Sequence, residues 1–465
     1  MFNFFSVKNM IKPSLCRGEM PSTGEVYKTL IRIAAPSVAE MVLTALISSL
    51  DMIMVSGLGY SAISSVGLTG QPRMLVLCMF FAINVGLTAV VARRHGEGRH
   101  EVANSTLKCM LLVIFGISVV LAGIAIVFAD PLMRFAGAIE GDTLENSVLY
   151  FRIIIAAAPI NALTMAITAA LRGTGNTKVT LFVNGTSNIV NVIFNYLLIE
   201  GRFGFPRLEV AGAAIASVIG MACGLVLCFV VVTRPTSLLR INDGGSWKPS
   251  AELLKPVFKV GGNTMLEQVA LRIGFFTFAK VVAHLGTEDF ATHQICMQFL
   301  NFTFTFGDGI GAAATALVGQ NMGRDRADIS MLYGKAAQRI AMAVSIVLIA
   351  VIVPLREQFI MLFETDPYIV HMGGLVMIIV AIFQPFQTTS VVLSGCLRGA
   401  GDTRFVAIVF MICISVIRPL TSILAVYVFE FGLIGAWLAA LIDMIIRMFA
   451  VYFRFGSFKW AKIKV

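Results

Sequence analysis

The chain has 465 residues, of which 57% are hydrophobic and only 13% are charged. Soluble domains carry roughly 25% charged residues, so this composition excludes an ordinary soluble protein and predicts one embedded in lipid. The formal net charge of +10 does not predict nucleic-acid binding, because the basic residues are scattered through short connecting segments and form no basic block.

The apolar stretches predict an all-α membrane protein with twelve transmembrane helices. They lack the alternation of period two that strands of a membrane barrel require, so each is interpreted as a spanning helix. The predicted spans are 30–56, 63–91, 108–128, 148–171, 179–199, 210–232, 255–285, 290–319, 337–355, 370–397, 405–428 and 432–453.

Charge in the connecting segments predicts the orientation. An even number of spans puts both termini on one side, and most basic residues fall in the connections on that side. The opposite connections hold only Arg134, Arg202, Arg207 and Arg356. By the positive-inside rule both termini are cytoplasmic, and we expect a multi-pass protein of the inner or plasma membrane of the cell.

The chain contains an internal repeat that consists of two six-helix halves. At one constant offset Glu40 falls on Glu267 and Thr88 on Thr315, and the segment 171–178 falls on 397–404 with a shift of one residue. Parallel repeats of this kind occur in secondary transporters, whose substrate path lies between the halves. The predicted domains are a cytoplasmic N-terminal segment (1–29), an N-lobe (30–232), a cytoplasmic linker (233–254), a C-lobe (255–453) and a cytoplasmic tail (454–465).

Polar side chains recur at helical spacing within two apolar spans. In the first span the shared face carries Ser37, Glu40, Thr44, Ser48 and Asp51, and in the fifth it carries Asn184, Asn188, Asn191 and Asn195. A carboxylate at membrane depth costs at least ~2.5 kcal/mol, which favours a functional role over helix association alone, although Ser and Thr also join membrane helices. Carboxylate and amide oxygens suit a hard cation.

Several features together resemble the multidrug and toxic compound extrusion (MATE) family. They are the duplicated halves, Pro36 in the first span, the two Leu-Arg-Gly-x-Gly-Asn/Asp-Thr segments at 171–177 and 397–403, and the segments 291–295 and 315–323. The resemblance implies two helical lobes around a central cleft that export organic cations or other amphiphiles in exchange for Na⁺ or H⁺. We therefore expect small amphiphilic molecules and membrane lipid as partners, no cofactor other than the coupling ion, and a monomer.

The resemblance also implies a coupling-cation site in the N-lobe. In the family such a site joins an Asp of the first span to polar residues of span five and a hydroxyl of span six. The matching residues are Asp51, Asn191, Asn195 and Ser217. Some family members place a second Asp where this sequence has Asn195, so Asp51 is the only evident acid of the site. The sequence does not choose between Na⁺ and a proton.

A second group of candidate residues is implied for the C-lobe and for substrate contact. Glu267 matches an acid that family members use for cation or substrate contact, and Glu40 is its repeat equivalent. The companion acid of span ten is replaced by Gln387, which departs from the family pattern. An alternative is that Glu267 neutralises Arg272 or Lys280 on its own helix, or another buried base, because buried charges are usually paired.

Two other classes of function compete with export. A flippase for lipid-linked saccharides has a related architecture, but many Arg and Lys should line its cavity. Here the bases at membrane depth are few: Arg73, Arg152, Arg272, Lys280, Arg418 and Arg447. An intramembrane enzyme is less favoured still, because the sequence contains no zinc-protease, nucleophile-elbow or P-loop motif.

Overall fold

The fold is helical throughout the part of the chain that the computed structural model describes. That part comprises residues 5–7, 10–11, 13–138, 140–235, 237–242 and 245–463, and it contains no β-strand. The all-α prediction is therefore confirmed. The predicted N-terminal segment, linker and tail include positions that lie outside the described residues, namely 1–4, 8–9, 12, 236, 243–244 and 464–465.

The described residues of the first half form eight α-helices. They are α1 (Thr23–Ser56), α2 (Tyr60–Gly96), α3 (His100–Val127), α4 (Ala129–Phe135), α5 (Asp142–Ala156), α6 (Ala158–Gly173), α7 (Thr177–Leu198) and α8 (Glu209–Thr233). Helices α5 and α6 meet at a bend of 46° and together occupy the predicted span 148–171. Pro159 is the second residue of α6, where it lacks the N–H that would continue the hydrogen bonds of α5.

The second half contains another eight helices. They are α9 (Ala251–Ala283), α10 (Thr287–Gly323), α11 (Ala327–Ile352), α12 (Arg356–Met361), α13 (Pro367–Ala400), α14 (Thr403–Ile412), α15 (Arg418–Ile423) and α16 (Gly432–Gly456). The π-helical turns Cys413–Ile417 and Leu424–Val428 follow α14 and α15, so the predicted span 405–428 is one continuous helical segment. Pro385, the repeat counterpart of Pro159, lies inside the unbroken helix α13.

Twelve helical segments of the described chain correspond to the twelve predicted spans. Eight helices are long and apolar enough to cross a membrane, or nine when the bent pair α5 and α6 counts as one span. The other three segments are α7, α9 and α10, which contain 22, 33 and 37 residues. These helices are less apolar because they carry polar side chains, among them the asparagine stripe of α7.

Helix packing divides the chain into two compact units. Residues Ala39–Gly261 form one unit, here the N-unit, and Met1–Val38 with Gly262–Val465 form the other, the C-unit. These boundaries fall inside α1 and α9, whereas the sequence places the division at the linker 233–254. Part of that linker instead packs on α3 within the N-unit, where Lys108 Nζ donates to the Gly245 carbonyl at 3.0 Å.

Each unit contains the same close helix approach, as the repeat predicts. A Cβ atom on Gly173 of α6 would lie 2.7 Å from the carbonyl oxygen of Thr88 on α2. At the equivalent position in the C-unit, a Cβ atom on Gly399 of α13 would clash with the carbonyl oxygen of Thr315 on α10. Glycine is therefore required in both Leu-Arg-Gly segments because the neighbouring backbone occupies the space of a side chain.

Candidate functional site

The polar stripe of α1 faces the asparagine stripe of α7 within the N-unit. Three of the four asparagines contact the α1 residue 144 positions before them, so the two helices run in the same direction and in register. The donated hydrogen bonds are Asn184 to Glu40 (2.6 Å), Asn188 to Thr44 (3.4 Å) and Asn195 to Asp51 (2.7 Å). The two stripes are therefore joined by hydrogen bonds along one pair of helices.

The acids of this stripe lie in different environments. Glu40 is buried, 3.0 Å from Arg172 Nη1, and also accepts a hydrogen bond from Thr180 Oγ1 at 2.7 Å. Asp51 is half-buried, and among the described residues no base lies within ion-pair distance of its carboxylate. Glu40 is thus neutralised by a neighbouring side chain, whereas Asp51 is available to a cation.

Asp51 is the centre of a polar cluster that contains all four residues predicted for the coupling site. The Asn191 amide lies 2.9 and 3.1 Å from the two carboxylate oxygens of Asp51 and 3.1 Å from Ser217 Oγ. With its nitrogen towards Asp51, the amide donates to the carboxylate and its oxygen accepts from Ser217. Asn195 donates to the same carboxylate, so three elements, α1, α7 and α8, converge on one acid.

A glycine brings α8 close enough to α7 to complete this cluster. A Cβ atom on Gly220 would lie 2.7 Å from the carbonyl oxygen of Ser187 and 2.9 Å from Asn191 Cβ. The Gly220 carbonyl accepts a hydrogen bond from Ser187 Oγ at 2.7 Å across the same contact. Gly220 lies about one turn after Ser217, so this approach fixes the distance between the Ser217 hydroxyl and Asn191.

A cavity of about 290 Å³ opens beside the cluster. Asp51, Asn195 and Ser217 line it. Sequence reasoning did not place three of its polar lining residues at the site, Thr69 and Arg73 of α2 and Tyr150 of α5. Tyr150 lies near both Ser217 and Arg73 in the lining of this cavity. Arg73 appears in the sequence as a base at membrane depth, but no spacing connects it with Asp51, and Tyr150 gives no signal because Tyr is common in spanning helices.

The chemistry of the cluster is that of a site for a small hard cation or a proton. The oxygen atoms that such an ion could contact are the two carboxylate oxygens of Asp51, the Ser217 hydroxyl and the amide oxygens. The Asn195 Oδ1 atom is buried and has no hydrogen-bond partner among the described residues. A buried acceptor left without a donor is costly, so this oxygen is free to contact a cation.

The candidate residues of the C-unit do not form an equivalent cluster. Glu267 is buried and forms a two-point ion pair with Arg398 of α13, through Nε at 3.3 Å and through Nη2. Its partner is therefore neither Arg272 nor Lys280 of its own helix, because the end of α13 presents Arg398 directly to the carboxylate. Gln387 is buried, and neither its amide nitrogen nor its amide oxygen has a hydrogen-bond partner within the described structure.

Substrate contact by Glu40, Glu267 and Gln387 thus stays a prediction. Glu40 and Glu267 each form an ion pair with an arginine. The two pairs are equivalent, since Glu40 corresponds to Glu267 and Arg172 to Arg398 in the repeat. The sequence contained this signal: each arginine belongs to a Leu-Arg-Gly segment, and each acid occupies the same place in its half.

Comparison with known sequences matches both halves of the chain. A sequence profile described as MatE matches residues 36–197 and 264–424. The chain is 28% identical to "Probable multidrug resistance protein NorM" of Thermotoga maritima over 457 residues, 98% of this chain and 97% of that protein. It is 24% identical to "Uncharacterized transporter YisQ" of Bacillus subtilis over 433 residues, 93% of this chain and 94% of that protein.

Solved structures share the fold over almost the whole chain. One, described as the outward-facing conformation of a multidrug resistance MATE family transporter of the MOP superfamily, superimposes with a TM-score of 0.86 at 22% identity, covering 96% of this chain and 98% of that one. A transporter of the MOP superfamily from Pyrococcus furiosus superimposes with the same TM-score at 21% identity, covering 93% and 97%.

Proposed function

Because the chain belongs to the MatE family of membrane transporters, we propose that it is a secondary active efflux transporter driven by inward movement of Na⁺ or H⁺. It is a multi-pass membrane protein, and it is a transporter and not an enzyme. The proposed substrates are amphiphilic or cationic organic compounds. The proposed location is the cell membrane, with both termini in the cytoplasm.

The observation that supports coupling is the contrast between Asp51 and the two repeat-equivalent acids, Glu40 and Glu267. Glu40 and Glu267 are buried in ion pairs with arginine, whereas Asp51 lines a cavity together with amide and hydroxyl oxygens. A carboxylate at membrane depth is expensive unless it serves a function. Asp51 is therefore the acid best placed to bind and release a cation in each transport cycle.

The cavity beside Asp51 fits the ion better than the exported compound. Pockets that bind drug-sized molecules measure about 300–1,000 Å³, and this one, at about 290 Å³, lies at the lower limit of that range. A cation or proton at Asp51 removes the need for the hydrogen bonds that Asn191 and Asn195 donate to the carboxylate. Ion binding would then loosen α1 from α7 and turn the amide oxygens towards the ion.

Coupling follows from that exchange of contacts. An ion shifts a conformational equilibrium only if it binds the two states with different affinity. The hydrogen bonds between α1 and α7 stabilise the ion-free state, and the ion stabilises a state in which those bonds are broken. Release of substrate and binding of the ion are thereby made mutually dependent.

The lining of the cavity gives no support to the flippase alternative. A pyrophosphate headgroup requires several arginine or lysine side chains. Among the described residues that line this cavity the only base is Arg73, and Asp51 opposes its charge.

The test of the proposal is transport in proteoliposomes with ethidium as the probe. Na⁺ and pH gradients are imposed separately, with the membrane potential clamped by K⁺ and valinomycin. The expected result is ethidium movement driven by one of the two gradients and abolished when that gradient is collapsed. Ethidium movement that is equally fast with neither gradient would contradict an ion-coupled mechanism.

A further inference from the structure

Arg73 lies at the candidate cation site and has no ion-pair partner among the residues that the structure describes. It belongs to α2, is half-buried, and lines the same cavity as Asp51. Among the described residues no carboxylate lies within ion-pair distance of its guanidinium. The Tyr150 hydroxyl lies near it in the same cavity lining. The other two arginines that meet acids of the repeats, Arg172 and Arg398, are in direct ion pairs.

The charge of Arg73 acts on Asp51 across the cavity. The two side chains line the same cavity beyond ion-pair distance, so their opposite charges attract each other through the space between them. They are the charged residues among those that line the cavity, so the cavity carries one negative and one positive charge. An arginine at membrane depth is costly unless a counter-charge or a water-filled space accompanies it, and here Asp51 is that counter-charge.

We propose that Arg73 is a tethered cation that competes with the coupling cation for Asp51 and thereby sets the affinity of the site. This inference rests on the proposed role of Asp51. When the coupling cation is absent, Arg73 neutralises the carboxylate. When the cation binds, the Tyr150 hydroxyl holds the guanidinium away from the occupied site.

Asn195 stands where some family members have a second Asp, and this explains why the single charge of Arg73 is sufficient to balance the site. With Asn195 beside it, Asp51 contributes a single negative charge, and Arg73 balances that charge completely. A bound Na⁺ or proton leaves the cavity with a net charge of about +1. Arg73 thus weakens ion binding and accelerates ion release, which a transporter needs at the end of each cycle.

The test is a cation titration of purified full-length protein in detergent, with the thermal unfolding midpoint as the readout. NaCl replaces choline chloride at constant ionic strength in one series, and in the other pH is varied without Na⁺. A ligand that binds only the folded state raises the midpoint, so each series yields a half-saturation point. Four proteins are compared: wild type, Arg73→Gln, Arg73→Lys and Asp51→Asn.

The inference predicts that Arg73→Gln lowers the half-saturating Na⁺ or H⁺ concentration about tenfold or more, because a repelling charge is removed. Arg73→Lys keeps the positive charge, so its half-saturating concentration should stay close to that of wild type. Should Arg73→Gln fail to fold, Tyr150→Phe replaces it: loss of the hydroxyl frees Arg73 for Asp51 and raises the half-saturating concentration.

The outcomes separate this inference from the proposed function. If Asp51→Asn abolishes the response but Arg73→Gln stays within twofold of wild type, Arg73 is not a competing cation and the inference fails alone. If Asp51→Asn responds like wild type, or if wild type responds to neither Na⁺ nor pH, the proposed cation site itself is wrong and the inference falls with it.

Discussion

Glu40 and Arg172 form a buried ion pair in the N-unit, with Arg172 Nη1 3.0 Å from Glu40 Oε1. Their repeat equivalents, Glu267 and Arg398, form the same pair in the C-unit. Each pair connects the first helix of a half to the Leu-Arg-Gly segment that follows the fourth span. The repeat therefore duplicates a structural connection, whereas the cavity that Asp51 lines belongs to the N-unit.

Glu40→Gln should destabilise the protein because it leaves the Arg172 charge without its partner. Loss of one member of a buried pair costs about 3–5 kcal/mol, and since Arg172 is 19% exposed we expect a loss of about 2 kcal/mol. The measurement is the free energy of unfolding in mixed micelles. Glu40→Gln/Arg172→Gln should lose less than the sum of the single variants. Strict additivity would show that the pair is not energetically coupled.

Asn195→Asp should tighten cation binding. The substitution places a second carboxylate at the position from which Asn195 now contacts Asp51 at 2.7 Å. The added negative charge should lower the half-saturating Na⁺ concentration about tenfold or more in the thermal titration. Asn188→Asp, about two turns earlier on the same stripe, is the matched control. Equal effects of the two variants would mean that the response reports general charge and not the site.

The helical spacing of the sequence was sufficient to predict which side chains share a face. Asn184, Asn188, Asn191 and Asn195 lie on the side of α7 that meets α1, because the period of 3.6 residues determines that side before any packing is known. The four residues of Asp51's cluster were named by the resemblance to the MATE family, because helical spacing alone does not place Ser217 of α8 beside Asp51. Arg73 and Tyr150 could not be named in either way, since they come from α2 and α5, and only the packing of the N-unit brings them to the cavity.

Packing also determines where the two units divide within the first and seventh spans. Hydropathy predicts that α1 and α9 cross the membrane, but it does not report which neighbours each half of a helix contacts. The division of the two units at Val38 and Gly261 therefore has no counterpart in the sequence pattern. For the same reason the sequence leaves the partner of Glu267 open between Arg272, Lys280 and another buried base, and the structure shows that it is Arg398 of α13.

Gly220→Ala should disturb the site through steric overlap. The new methyl group would lie 2.7 Å from the Ser187 carbonyl oxygen and 2.9 Å from Asn191 Cβ, so α8 must move away from α7. Overpacking of this kind costs about 1–3 kcal/mol, and the shift of Asn191 should weaken the Na⁺ or H⁺ response.

The control for Gly220→Ala is Gly185→Ala on α7, where an added Cβ meets nothing within 4 Å. Alanine is the better helix former, so this variant should be as stable as wild type or up to about 1 kcal/mol more stable. Both variants are compared by unfolding in mixed micelles and by cation titration. If Gly220→Ala behaved like Gly185→Ala, the close approach of α7 and α8 would be of no consequence.

Labelling of Cys16 tests the proposed orientation. Cys16 is exposed, and the other cysteines are buried or, for Cys223, half-buried. A membrane-impermeant maleimide should label Cys16 in inverted vesicles and not in intact cells. Phe203→Cys in a Cys16→Ser background should show the reverse, because Phe203 is 85% exposed in a connection of the opposite side. Labelling of Cys16 in intact cells would place the N-terminus outside.

The most direct test is ethidium transport by Asp51→Asn in proteoliposomes under whichever gradient, Na⁺ or pH, drives the wild-type protein. Asp142→Asn, which alters an exposed acid at the start of α5, serves as the matched control. We predict that Asp51→Asn loses ion-driven transport while Asp142→Asn retains it, with both proteins folded and inserted equally. Ion-driven transport by Asp51→Asn at the wild-type rate would contradict the assignment of Asp51 as the coupling acid.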